Sequence, residues 1–280
     1  GGTLVCLAAL SLAVFGCGSD DDASSSASST AASSSCTPKV DLPTIKKGVL
    51  TVVGPVYPPL FTYSNGQPGG VEGEQLKQIA KDACLKLKVT IQPAAGVISS
   101  VQAKRADVAA GGWYASAARA KIVGQTEPNY TDPPMLVSKE GYDSIEQVKG
   151  KTIGTTQGYI WEADLKKFAG SKAKFFQSPD AVFSDLQAGR IDVALMALNE
   201  GGYRIKKNPD SGLKGGILKS TPIIGASQSI EATNYPHIKD KPAVTAALNK
   251  EIESMRASGL TAKLLEQAGL DPSAANPKTS

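Results

Sequence analysis

The stretch GGWYASAARAK, residues 111–121, sets two large aromatics, a serine and an arginine within eleven positions. Only five of the 30 cationic side chains in the chain are arginine. A guanidinium offers what an ammonium cannot, two parallel N–H donors in one plane, matched to the two oxygens of a carboxylate. Ser116 has the type and place of a helix N-cap for the run that holds Arg119, and free N–H groups at such a helix start add to an anion site. Trp113 and Tyr114 supply broad apolar faces that can stack on or cover a small molecule. Gly111 and Gly112 leave the backbone open to close approach by a ligand. These residues suit non-covalent recognition of a carboxylate.

Bond-making chemistry finds less support. His237, in NYPHI, is the only histidine, so no zinc site built on several histidines can be assembled. Glu200 stays open as a catalytic acid. No cofactor and no metal are expected.

Such a site needs a scaffold, and the chain contains a repeat that supplies one. VISSVQAKRADVA (residues 97–109) and VFSDLQAGRIDVA (residues 182–194) agree at eight of thirteen positions at an offset of 85. In each copy apolar residues at helical spacing lead through a polar turn into a short apolar strand. Asp107 and Asp192 recur at the same place and read as turn and strand-start residues. Two copies so far apart predict two α/β lobes of similar build. Each lobe has a first strand after a glycine, VLTVV (residues 49–53) and KTIG (residues 151–154). Helices are expected over 72–86 and 161–169. Ligands of open α/β sheets sit beyond the carboxyl ends of strands, so residues 54–61, 111–119, 155–161 and 196–203 are expected to line a cleft between the lobes.

At 280 residues and 41% hydrophobic content the chain can bury one large core or two modest ones. Its net charge of +4 is spread along the sequence, without the basic stripe that nucleic-acid binding requires. Residues 3–15 (TLVCLAALSLAVF) are too short an apolar run to span a bilayer comfortably and read as the core of a secretory signal over 1–16. The following Val-Phe-Gly-Cys resembles a bacterial lipobox, with Cys17 as the lipidated residue. Residues 17–35 then form a serine-rich linker with no apolar side chain larger than alanine after the cysteine, a composition that cannot order itself. Cys6 leaves with the signal and Cys17 takes the lipid, so Cys36 and Cys84 remain and are expected to pair in an exported protein.

GVLTVV, YPPLF and GVEGEQLKQIA (within residues 48–80), RADVAAGGWYASAARAKIV (105–123), TEPNY (126–130) and KGKTIGTTQGYIW (149–161) follow one another in an order that resembles one family. It is that of the bacterial solute-binding proteins of the amino-acid type, extracellular receptors of ABC importers. The resemblance covers about residues 44–270. It implies an α/β, two-lobed, type II periplasmic-binding-protein fold with two crossover hinge strands and a cleft that closes by hinge bending. Lobe 1 is then 37–136 plus 225–280, and lobe 2 is 137–224. Arg119 aligns with the arginine that grips the ligand carboxylate. Tyr57 aligns with an aromatic floor whose loop Pro58 and Pro59 stiffen. Gly158 and Tyr159 stand where many relatives carry glycine followed by threonine or serine, and Gly112 and Ser116 complete the expected contacts.

One departure is large. Relatives commonly place an aspartate at or beside Met196 and Ala197 to pair with the ligand's ammonium, and here both positions are uncharged. The acidic position aligned with Gly54 is lost as well. A buried ammonium without a carboxylate is costly. Either Asn199 or Glu200 substitutes, or the ligand is not an ordinary α-amino acid. Tyr57, Trp113, Tyr114, Tyr159 and Trp161 could hold a cation by their ring faces, which suits a methylated amine or betaine-like zwitterion. The implied partners are a small-molecule ligand, an ABC permease and, through the lipid, a membrane, with the protein acting as a monomer. Some relatives of this fold are dehydratases, so the resemblance keeps a dehydratase-like enzyme with Glu200 as the acid as an alternative, beside a sensor or cell-wall interaction domain.

Overall fold

Alternating burial along VLTVVG makes β1 (Val49–Gly54), which turns Leu50, Val52 and Val53 into the core. The computed structural model describes residues 1–2, 36–228 and 232–277. Cys6, Cys17 and the serine-rich stretch, and with them the expected signal, lipid and tether, lie outside the described residues. From Cys36 onward the chain is one unit. After β1 come a hairpin of β2 (Thr62–Ser64) and β3 (Gln67–Gly69), then α1 (Gly70–Asp82), β4 (Lys86–Ile91), α2 (Ala94–Gln102), β5 (Val108–Ala109), β6 (Trp113–Tyr114) and α3 (Ala117–Ala120). β1 lies between β4 and β5, all parallel. Parallel neighbours need a crossover, and α1 and α2 provide it. α1 buries Val71, Leu76, Ile79 and Ala80 at helical spacing.

The second lobe holds β7 (Pro134–Ser138), β8 (Ile153–Thr156), α4 (Glu162–Ala169), β9 (Ala173–Phe176), α5 (Pro179–Gln187), β10 (Val193–Ala197), α6 (Leu198–Lys207) and β11 (Lys214–Ile217). Its sheet runs β11-β7-β10-β8-β9, with β8, β9 and β10 parallel and β7 antiparallel to both of its neighbours. The chain then returns through β12 (Thr233–Asn234), which pairs with β6, to α7 (Pro242–Ala257) and α8 (Leu260–Gln267). The two crossovers touch where Thr131 bridges Ala232. Met135 and Leu136, given to lobe 1 by the sequence reading, pair in β7 with β10 and β11. The change of sheet therefore falls before Pro134. No helix among the described residues is long and apolar enough to cross a membrane.

The repeat is a helix, turn and strand in both lobes, α2–β5 and α5–β10. Both helices end in the same way. Lys104 and Gly189 take positive φ of 56° and 70°. The next residues, Arg105 and Arg190, donate back to Ser100 and Asp185 at 2.9 Å, the bond pattern of a left-handed helix terminus. Asp107 accepts from the Ile45 and Thr51 N–H groups, and Asp192 from the Thr152 N–H. Asp107 thus ties β5 to β1, and Asp192 ties β10 to the residue that leads into β8.

Helix α1 ends four residues earlier than the expected 86. Cys84 adopts φ 55°, and Leu85 N–H returns to the Ala80 carbonyl at 2.8 Å, closing the helix so that Lys86 opens β4. Cys84 is bonded to Cys36, with their Cα atoms 5.7 Å apart. The pair joins the first residues of this unit to the end of its first helix.

Candidate functional site

Between the lobes lies a cleft with about 340 Å³ of non-protein space, part of it open to solvent. Tyr57, Gly112, Trp113, Tyr114 and Arg119 line it from lobe 1, and Tyr159 from lobe 2, all singled out in the sequence. Gly111, Ala94, Ile160, Trp161 and Ala197 complete the lining. The lobes are in contact at its edge: a Cβ on Gly158 would stand 2.8 Å from the Ala95 Cα.

Arg119 lies in α3, the one-turn helix that follows the short strand β6. Its Nη1 donates to the Tyr114 carbonyl at 2.6 Å, and Nη2 reaches the Gly158 carbonyl of the other lobe at 3.5 Å. The guanidinium lies 4.9 Å from the Trp113 ring centroid. Desolvation pushes it down to about 10, with Tyr114 opposing, so it remains a cation at neutral pH. Among the described residues no carboxylate lies within ion-pair distance of it. A part-buried cation on a cleft wall, held among the described residues by neutral carbonyls and a ring face, can receive an anion.

Ser116 caps α3 as expected, its Oγ accepting from the Arg119 N–H at 3.1 Å. The helix is only four residues long, however, and the Ser116 N–H is held by Gln125 at 2.8 Å. The anion site therefore owes little to a helix terminus. The glycines also act differently from the expectation. Gly111 and Gly112 have φ of 111° and 71°, and a Cβ on either would come within 2.8 Å of Pro55 or Tyr57. Their N–H groups both donate to the buried Glu72 carboxylate, which also accepts from the Tyr130 hydroxyl. What they let approach is the protein's own chain. Desolvation raises the Glu72 carboxyl, while the Gly111, Tyr130 and Gly112 donors hold it down.

Asn199 and Glu200 do not line the cleft. Asn199 faces the crossover: its N–H binds Asp132 Oδ1 at 2.8 Å and its amide reaches the Thr131 carbonyl at 3.4 Å. Glu200 is fully buried behind two tyrosines. It accepts from Tyr159 at 3.1 Å, and from Tyr57 and the Ala197 N–H at 3.4 Å. Arg204 stands 4.0 Å away and is itself bound to Asp180 at 2.7 Å. Desolvation pushes the Glu200 carboxyl up to about 7, against Arg204 and the three donors. Gly158 donates to Glu162 at 2.5 Å and has φ 86°. His237 is buried away from the cleft, with Nδ1 against the Ile238 carbonyl and Nε2 against Thr245.

Two of the three ring pairs meet edge to face and the third is tilted. Tyr57 and Tyr159 have centroids 6.4 Å apart at 79°, Tyr159 and Trp161 are 5.4 Å apart at 82°, and Tyr114 and Trp161 are 5.7 Å apart at 52°. The Trp113 indole N–H is bound to the Ala110 carbonyl at 2.8 Å, and the Tyr114 hydroxyl to that of Asp132. These anchors fix the walls.

Residues 50–270 match the family model of bacterial extracellular solute-binding proteins, family 3. The histidine-binding periplasmic protein of Escherichia coli K12 is 26% identical over 223 residues, which cover 76% of this chain and 84% of that protein. The arginine-binding extracellular protein ArtP of Bacillus subtilis is 26% identical over 226 residues, covering 78% and 85%. Among solved structures, the arginine-bound substrate-binding protein AbpA of a Streptococcus pneumoniae amino acid ABC transporter superposes with a TM-score of 0.70 at 25% identity, over 83% of this chain and 98% of that one. These relatives are transport receptors, not enzymes. The two-lobed fold, the crossovers and the match over most of the chain agree: this protein belongs to the bacterial extracellular solute-binding proteins of family 3 and is a solute-binding protein rather than an enzyme.

Proposed function

We propose that the protein captures a small carboxylate-bearing solute, an amino acid or a derivative of one, and delivers it to an ABC permease from a lipid anchor on Cys17. The observation that carries the ligand reading is Arg119, a part-buried guanidinium on an aromatic cleft wall without a carboxylate partner among the described residues. The relatives named for histidine and arginine support an amino-acid-like solute. Val-Phe-Gly-Cys and the serine-rich stretch behind it support the anchor.

A thermal-shift screen of the full chain against amino acids, polyamines, betaines and small carboxylates tests the capture. A ligand at 100 times its dissociation constant stabilises by about 2.7 kcal/mol. Stabilisation confined to solutes lacking a carboxylate would refute the reading. For the anchor, Cys17→Ala releases the protein to the medium or leaves it uncleaved. An unlipidated mature N-terminus elsewhere, found by mass spectrometry, would refute it.

A further inference from the structure

We propose that the solute's cationic group is a fully methylated ammonium, making the ligand an aliphatic betaine whose charge is held by aromatic faces; this rests on Arg119 being the carboxylate clamp. A buried primary ammonium has three N–H donors, and each one left without an acceptor is costly. Several acceptors near this cleft are already engaged. Glu200 receives two tyrosine hydroxyls and the Ala197 N–H. The Ala110 and Tyr114 carbonyls hold Trp113 and Arg119. Asn199 is turned to the crossover. Among the described residues no carboxylate lines the cleft. Asp132, Thr156 and Asn234 each have one buried side-chain oxygen without a hydrogen bond, but none of the three is a lining residue.

A tetraalkylammonium has no N–H to satisfy. Its charge is drawn to ring faces within about 6 Å of their centroids. Tyr57, Trp113, Tyr114, Tyr159 and Trp161 supply five such rings in one small space. Their interplanar angles of 79°, 82° and 52° set them as walls meeting at corners rather than as a stack. The Trp113 face already holds a cation, the Arg119 guanidinium at 4.9 Å. A carboxylate on Arg119 and a methylated ammonium among the rings would use both halves of the cleft.

Isothermal titration of the full chain tests this with trimethylglycine, N,N-dimethylproline and carnitine as betaines. Glycine and proline serve as primary- and secondary-amine controls, and 3,3-dimethylbutanoate as the isostere of trimethylglycine that keeps the carboxylate and lacks the cationic nitrogen. Arginine and histidine represent the relatives' solutes, and choline is a methylated cation without a carboxylate. At least one betaine is expected to bind ten times or more tighter than its amine control. If that betaine is trimethylglycine, it should exceed the isostere by the same factor. Tyr159→Leu should weaken betaine binding tenfold or more, and Tyr159→Phe, which keeps the ring, should restore most of it.

Arginine, histidine, glycine or proline binding more tightly than every betaine, with loss in Arg119→Ala, would overturn the betaine inference and leave the carboxylate clamp standing; loss of that binding in Asp132→Asn would name the cation's true partner. Choline binding as tightly as the betaines, unaffected by Arg119→Ala, would instead overturn the clamp. No binding by any of these probes would overturn both.

Discussion

Tyr57 of lobe 1 donates its hydroxyl to Glu200 of lobe 2 across 3.4 Å, and both side chains are buried. The contact joins the two halves of the cleft through a carboxyl whose titration is displaced into the physiological range. Because burial raises Glu200 to about 7 in the folded protein, the folded state holds its proton more tightly than the unfolded chain. That contribution is fully present below the unfolded carboxyl's range, near pH 4.5, and is lost as pH rises through 7. Its size is on the order of 3 kcal/mol. Glu200→Gln should flatten this fall. His237, lowered by burial, works in the opposite sense as pH falls, so the test is the difference between wild type and Glu200→Gln. Urea unfolding at several pH values between 4.5 and 8 measures it, and parallel curves for the two proteins would contradict the assignment.

The equivalent helix ends of the repeat permit a paired test. Lys104 holds φ 56° and Gly189 φ 70°, and nothing lies within 4 Å of a Cβ built on Gly189. Backbone strain alone separates the two sites. Lys104→Gly should stabilise by about 1 kcal/mol and Gly189→Ala should destabilise by about the same. Thermal unfolding of both variants reads the signs. Two shifts in the same direction would mean that the helix ends are not equivalent.

Cys36 and Cys84 close a loop with a sequence separation of 48. In the chain-entropy account such a link contributes about 4 kcal/mol by restricting the unfolded chain. The Cys36→Ser, Cys84→Ser double variant should lose most of that in urea unfolding. Both thiols should resist labelling in the natively exported protein until a reductant is added. Labelling of both without reductant would count against the bond.

The repeat, both first strands and the lining segments after β1, β5, β8 and β10 are legible because period and composition agree there. The end of α1 is not. A cysteine rather than a glycine takes the left-handed position, and KLKVTI alternates without a strongly buried face. Reading a helix across Lys86 hid β4, and with it the turn that brings Ala94 to the cleft. The role of the glycine pair is equally hidden, because Glu72 lies 39 and 40 residues away. So is the engagement of Glu200, whose partner Tyr57 lies 143 residues distant. Residue type announces what a group can bind. Only the fold decides whether it is already bound.

In the proposed function Arg119 holds the carboxylate of the solute. Its contacts are with backbone carbonyls and a ring face, so Arg119→Ala removes no buried ion pair among the described residues and should leave the fold intact. Isothermal titration with the ligand that gives the largest thermal shift, on wild type, Arg119→Ala and Arg119→Lys, is the direct measurement. Alanine should weaken binding by roughly 2–5 kcal/mol, and lysine should recover only part, because it keeps the charge and loses the two-pronged geometry. Near-wild-type affinity in Arg119→Ala would contradict the account and assign carboxylate recognition to other groups of the cleft.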